Sequence, residues 1–499
     1  MNLTLDRRSD LPLYRQLAQQ IRELIRTGVL APGCRLPTVR QLAADHGLTR
    51  LTVQSGYAEL QTQGLIDSYV GRGTFVAGRA QSLPTRDPHL VALRQPPVEP
   101  AAWRSRGLLS ELVRLTPQPE MLSFAQAIPA ASTYPIRELQ QAFHLTLRQP
   151  DALNYGPIQG EVELREQVSR TLLERGIAAP PDSVLISAGA QQGIDVSLRA
   201  LARPGEVILT EEPIYPGVIE LARAHGMRVV TVPMDEGGIL VGELEAACAT
   251  HHPRLFYTVP TFHNPTGVSL DPQRAGTVMA LARAYEMVIL EDDVYGLLSF
   301  AEPVPLPLKA QDRSGRVVYI TSFSKSLAPG LRLGALVATP DRLPDLAAAK
   351  QSSDLICSSL LQRVLATYLR RGHFASHLQQ VRILYKERRD ALLRALDHYL
   401  PGCSCTRPEG GLSVWVTLPD DIDEYDFCTE AASRGVGVAR GQAFFVEPQP
   451  RGYIRLSFGS HTGEQIEQGV RLLGELLQEH RRRLTRLRAQ AGLSARPLV

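Results

Sequence analysis

Lysine is nearly missing from this sequence of 499 residues. Of 54 Lys and Arg residues, only Lys309, Lys325, Lys350 and Lys386 are lysine. Where charge alone is needed the chain uses arginine, and what arginine cannot supply is a primary amine that loses its proton and attacks an aldehyde. Each lysine is therefore a candidate nucleophile, with a plain surface position as the ordinary alternative. Cysteine is scarce too: there are six in the whole chain, and only Cys403 and Cys405 lie close together. That is too few for a disulfide framework and badly spaced for a metal, so no metal site is expected. No apolar run approaches the roughly 20 residues a membrane helix needs. Acids and arginines fall within the first ten residues, so no secretory leader is expected and the chain is assigned to the cytosol.

What is present is the composition of a folded globular protein, with 44% hydrophobic and 21% charged residues. The length suits roughly three domain-sized units, or one large α/β body with a smaller attachment. The net charge of +3 is unevenly divided: residues 1–78 and 79–116 each carry +3 and residues 479–499 carry +5, which leaves −8 on the remainder. A basic front and tail on an acidic body imply a polyanionic partner for part of the chain only.

Residues 11–63 read as three short helices. Leu13, Leu17, Ile21 and Leu24 recur at helical spacing behind Pro12. A second helix from Thr38 to His46 would bury Val39, Leu42 and Ala43, and a third from Thr49 to Gln63 would bury Val53, Tyr57 and Leu60. The turn at Gly47-Leu48 makes the last two a helix-turn-helix. Asp67–Val70, a glycine-flanked Arg72 and Thr74–Val76 then read as a hairpin wing. Prolines crowd residues 79–119, which reads as a linker. Beyond it apolar runs alternate with amphipathic stretches: Val184–Ser187, Val207–Thr210, Arg228–Val232, Leu255–Val259, Met287–Leu290, Val317–Thr321 and Ala335–Ala338. The pattern predicts an α/β body with a mostly parallel sheet, over residues 120–480, followed by a basic tail, 481–499.

In such sheets ligands bind beyond the carboxyl ends of the strands. The residues after these runs form a coherent set: Gly189-Ala190-Gln191, opening a helix that offers N–H groups to an anion; Tyr215; His263-Asn264-Pro265-Thr266-Gly267; Glu291-Asp292-Asp293-Val294-Tyr295; and Ser322 through Arg332, which contains Lys325. NPTG at 264–267, EDDVY at 291–295 and SFSKSLAPGLRLG at 322–334 closely resemble the fold-type I aminotransferases that use pyridoxal 5'-phosphate. RLPTVRQLA at 35–43, LTRLTVQSGYAELQTQGL at 48–65 and GRGTFVA at 71–77 resemble the GntR winged helix. The two together resemble the MocR/GabR transcriptional regulators.

The resemblance implies a GntR-like DNA-binding domain over residues 1–78 and a fold-type I body with a large sheet domain and a smaller α+β domain. It implies that Lys325 forms a Schiff base with the cofactor and that Asp292 keeps the pyridinium nitrogen protonated. Asn264 and Tyr295 would bond the phenolic oxygen, and Tyr215 would stack on the ring. Ser322, Ser324, Arg332 and the amides of Ala190 and Gln191 would cradle the phosphate. Tyr155 resembles the tyrosine that reaches the phosphate of a neighbouring subunit, so a homodimer is implied, and Arg455 matches the arginine that clamps a ligand carboxylate, a structural ion pair being its alternative. Lys325, Asp292 and Tyr295 are the catalytic candidates. Two departures stand out: Ala190 replaces a common Ser or Thr, and Ala127 replaces a common Gly near the substrate, which puts turnover in question. In the front domain Thr49, Arg50, Thr52 and Gln54 begin the helix that enters the major groove in such motifs, with Thr38, Arg40 and Arg72 placed for phosphate or minor groove.

The expected function is a regulator that binds double-stranded DNA and senses an amino acid or amine through the cofactor at Lys325. The alternatives are an active aminotransferase with an accessory DNA-binding domain and a regulator sensing the cofactor itself.

Overall fold

The computed structural model describes residues 12–26, 30, 33–62, 65–69, 73–76 and 121–490, in two compact units, Met1–Val98 and Glu99–Val499. The linker at 79–119, the wing-tip Arg72 and the end of the tail beyond residue 490 lie outside the described residues.

In the first unit α1 (Leu13–Arg26), α2 (Val39–His46) and α3 (Arg50–Thr62) pack around Leu17, Ile21, Leu42, Val53, Tyr57 and Leu60, all buried. The turn between α2 and α3 needs Gly47. It adopts φ +60, and its N–H closes α2 on the carbonyls of Ala43 and Ala44, a left-handed conformation that costs other residues energy. The Tyr57 hydroxyl donates to the Pro37 carbonyl at 2.7 Å, which fixes the loop before α2. Strands β1 (Ile66–Tyr69) and β2 (Gly73–Val76) pair antiparallel, with Ile66 opposite Val76, and both residues are buried against the helices.

In the second unit β3 (Leu122–Ser123) precedes eight strands: β4 (Val184–Ser187), β5 (Val207–Glu212), β6 (Arg228–Asp235), β7 (Gly238–Ile239), β8 (Leu255–Thr258), β9 (Val288–Asp292), β10 (Val317–Ser322) and β11 (Gly334–Val337). Their order is β4-β11-β10-β9-β8-β5-β6-β7. The sheet is parallel from β10 to β6, while β11 runs against both its neighbours and β7 against β6. Successive strand residues serve opposite faces. Leu255 and Tyr257 pack with Ile194 and Leu198 of helix Ala190–Leu201, whereas Phe256 packs with Val278 and Ala282 of helix Pro272–Ala284. Burial on both faces is why these strands read as unbroken apolar runs.

Four strands run further than the apolar runs, β6 among them, which continues through Pro233 to Asp235. Glu211 and Glu212 belong to β5, Asp292 to β9 and Ser322 to β10, because the backbone ladder continues where the side chains turn polar: Asp292 is still paired with Ile320. The smaller domain carries β12 (Ser404–Cys405), β13 (Ser413–Thr417), β14 (Val436–Gly437), β15 (Ala439–Arg440) and β16 (Tyr453–Ser457). Four of these form an antiparallel sheet, β12-β13-β16-β15, and β14 pairs with β3. Helices His373–Tyr399 and Gly463–Gln490 pack on each other behind it. Among the described residues no helix is long and apolar enough to cross a membrane.

Candidate functional site

The carboxyl ends of β5, β8, β9 and β10 and the turn after β4 converge on a cavity of about 310 Å³. It is lined by Ala190, Gln191, Ile194, Tyr215, Val259, Asn264, Asp292, Val294, Tyr295, Ser322, Ser324, Lys325 and Arg332. Residues separated by more than a hundred positions in sequence meet here because parallel strands deliver every carboxyl end to the same edge.

Lys325 sits in helix Phe323–Ser326, directly after β10. Its Nζ donates to the Ala127 carbonyl at 2.7 Å. Burial lowers its pKa to about 8, the charges of Arg455 and Arg332 act in the same direction, and Asp292 opposes them. Asp292 ends β9 and is 4% exposed. Its Oδ2 accepts from the Tyr257 hydroxyl at 2.7 Å, and its Oδ1 has no hydrogen-bond partner among the described residues. Burial pushes this carboxyl up to about 6. Asp293 adds to the rise, and the Tyr257 bond and the charge of Lys325 work against it. Burial likewise pushes Tyr295 up to about 12 and raises Tyr215, so both phenols remain protonated donors at neutral pH.

The other end of the cavity is built for an anion. Gly189 precedes helix Ala190–Leu201 with φ +87 and ψ 174 and no side-chain cap, leaving the first-turn N–H groups aimed outward. A Cβ at Gly189 would lie 3.1 Å from Arg332 Nη2. Arg332 donates to the Ala188 carbonyl at 3.0 Å, which holds its guanidinium over the turn. Ser322 Oγ accepts from the Ser324 N–H at 3.2 Å and caps its helix. The Tyr215 hydroxyl donates to Gln191 Oε1 at 2.9 Å.

Pyridoxal phosphate fits this donor set. The unpartnered Oδ1 of Asp292 would accept from a protonated ring nitrogen, the helix N-terminus with Arg332, Ser322 and Ser324 would hold a phosphate, and Lys325 has the amine for the aldehyde. Asn264 and Arg455 are linked: Arg455 Nη1 donates to Asn264 Oδ1 at 2.8 Å, and Nη2 donates to the Ala125 carbonyl. Arg455 is 4% exposed, its guanidinium carbon lies 4.9 Å from the centre of the Phe444 ring, and its Nε has no partner among the described residues. The ion pair that was the alternative reading of Arg455 is absent among the described residues. Tyr155 is 86% exposed and takes no part in the cavity of its own chain.

Sequence reasoning passed over Tyr257 and the support behind Asp292. Asp293 Oδ2 accepts from Arg175 Nη2 at 3.1 Å and from the Tyr319 hydroxyl at 2.8 Å, a buried pair that neutralises the third acid of the EDD run. Tyr257 was hidden because a tyrosine inside an apolar strand reads as core. The available signal was its polar tip, which needs a partner when buried.

In the first unit Arg40, Thr49, Arg50 and Gln54 are exposed and Thr52 is half-buried. The two threonines named as helix starters act as caps. Thr38 Oγ accepts from the Gln41 N–H at 3.2 Å, and Thr49 Oγ accepts from the Thr52 N–H at 3.1 Å and lies 2.8 Å from Thr52 Oγ. Capping orients α2 and α3 and leaves Arg40, Arg50 and Gln54 as the outward donors.

Residues 121–473 match the family "Aminotransferase class I and II", and residues 13–76 match "Bacterial regulatory proteins, gntR family". The chain is similar to the uncharacterized HTH-type transcriptional regulator YisV of Bacillus subtilis, with 32% identity over 94% of this chain and 96% of the relative. It is similar to the HTH-type transcriptional regulator TauR of Rhodobacter capsulatus, with 30% identity over 93% and 96%. Among solved structures it resembles LysN, an alpha-aminoadipate aminotransferase from Thermus thermophilus complexed with N-(5'-phosphopyridoxyl)-L-leucine. The TM-score is 0.71, with 33% identity over 76% of this chain and 96% of that one.

Proposed function

From the premise that the chain belongs to the class I and II aminotransferase family and carries a gntR-family domain at its front, we propose that an amino acid bound in the Lys325 cavity sets its grip on DNA. The protein is a DNA-binding regulator of the MocR type that depends on pyridoxal 5'-phosphate. When bound, that cofactor supplies an aldehyde and an electron sink. Asp292 Oδ1 would accept from a protonated ring nitrogen while Tyr257 fixes Oδ2, and such a cationic partner would counter the burial that raises its pKa. Lys325, whose pKa is lowered to about 8, would supply the amine for the aldehyde. Ser322, Ser324, Arg332 and the Ala190 and Gln191 amides would hold the phosphate, Asn264 and Tyr295 would bond the phenolic oxygen, and Tyr215 would cover the ring. Tyr155, exposed close to the exposed Leu153, supports a homodimer in which it reaches a neighbour's phosphate. DNA as a partner supports the cytoplasm as the protein's place of action.

The observation that carries the amino-acid reading is Arg455. A buried cation without a carboxylate is costly, and among the described residues this one is offset by neutral oxygens and an aromatic face. A ligand with an amine at one end and a carboxylate at the other satisfies both Lys325 and Arg455, whereas a simple amine satisfies one. A solved neighbour in the fold, complexed with N-(5'-phosphopyridoxyl)-L-leucine, supports the same class. The test is a spectral titration of cofactor-loaded protein with α- and ω-amino acids and with simple amines. A response confined to carboxylate-bearing amines supports the reading, and a response to pyridoxal phosphate alone overturns it. Multiple turnovers with a keto acid, without any change in DNA binding, would make the chain an aminotransferase with an accessory reader.

A further inference from the structure

We propose that Leu51 reads a thymine methyl group in the DNA site, which makes it a specificity-determining residue of α3. The inference rests on the DNA-binding reading of the first unit. Successive helical residues are rotated by about 100°. Val53, Tyr57 and Leu60, all buried, therefore define one side of α3, and Leu51 projects from nearly the opposite side. It is 72% exposed, and among the described residues of the front unit it is the one large apolar side chain in that state. On the same outer face the following turns carry Ser55 and Ala58, small residues that let the helix approach a surface closely. Arg50 and Gln54, both exposed, lie together on one side of it as hydrogen-bond donors. The cap from Thr49 to the Thr52 N–H holds this first turn in place.

A leucine neither donates nor accepts a hydrogen bond, so at the centre of a groove-facing surface its one available reading contact is apolar. Of the four bases in the major groove, thymine alone presents a methyl group, and the first turn of such a helix is the part that meets base edges. Burying one methyl group corresponds to about four-fold in affinity.

The experiment selects binding sites from a random duplex library with the full-length, cofactor-loaded protein, then replaces each thymine of the selected site singly with uracil, which removes only the methyl. The expected result is one thymine per half-site whose replacement weakens binding about four-fold. Leu51→Ser and, as a second variant, Leu51→Ala should be indifferent to that replacement while retaining a helical circular dichroism spectrum. If no thymine is sensitive in the wild type, or if both variants keep the same sensitivity, the proposal is wrong. A library that yields no enriched site instead overturns the DNA-binding reading beneath it.

Discussion

At the scale of single residues, the four lysines separate cleanly. Lys309 donates to the Val317 carbonyl and Asp312, Lys350 is buried against Asp354, and Lys386 pairs with Asp390. Lys325 alone lines the cavity. Borohydride treatment of the cofactor-loaded protein should therefore label Lys325, and Lys325→Ala should carry no label. A labelled peptide containing another lysine contradicts the assignment. Burial sets the pH dependence. With a pKa of about 8, roughly one molecule in ten has a neutral amine at pH 7, against roughly one in three thousand for an ordinary lysine. The lowered value means the reactive form accumulates as pH rises toward 8 and is lost below it. Reloading of stripped protein should accelerate about tenfold per unit up to pH 8 and then level, and an acceleration that continues toward pH 10 would show an unperturbed amine. For Arg455→Ala, loss of a bidentate charge-assisted contact should weaken amino-acid binding by on the order of 30- to 1,000-fold with the cofactor spectrum intact. Arg455→Lys should recover little, because an ammonium lacks the planar fork. A spectral titration of both variants checks this.

At the scale of elements, the turn between β4 and helix Ala190–Leu201 and the first turn of α3 are each proposed to meet an anion, a cofactor phosphate and DNA respectively. Gly189 occupies a region of backbone space that is essentially reserved for glycine, and another residue there costs of order 1–3 kcal/mol. Gly189→Ala also pushes a Cβ against the Arg332 guanidinium. It should lower the melting temperature and weaken cofactor binding, and a variant with wild-type cofactor affinity would remove this turn from the cradle. In α3, Arg50→Ala should weaken DNA binding and reduce the slope of log affinity against log salt by about 1, with the cofactor spectrum unchanged. An unaltered slope would take Arg50 off the phosphates. These elements were legible in the sequence because strand, glycine and helix follow one another with their periodicities intact. The strand ends were not, since the apolar pattern stops at Leu290 while hydrogen bonding carries β9 on to Asp292. The reversed β11 was also illegible, because direction leaves no mark on a four-residue apolar run.

At the scale of the whole molecule, a basic front on an acidic body and the order of three motifs pointed to a DNA reader joined to an α/β body. Most of the residues singled out line one cavity, because every one of them followed an apolar run and parallel strands gather such positions. What escaped sequence reading was the supporting layer, Tyr257 on Asp292 and Arg175 on Asp293, whose members lie far apart in the chain and look like core or surface until the fold joins them. The thermodynamic requirement for regulation is that the ligand bind two states of the protein unequally, so DNA and amino acid must each alter the affinity of the other. The most direct measurement is the affinity of the cofactor-loaded protein for its selected DNA site across a panel of α- and ω-amino acids, in the wild type and in Lys325→Ala. The account predicts that at least one carboxylate-bearing amine shifts the wild-type affinity several-fold and leaves Lys325→Ala unmoved. A DNA affinity that stays the same in the wild type across the whole panel, or that shifts equally in both proteins, would contradict it.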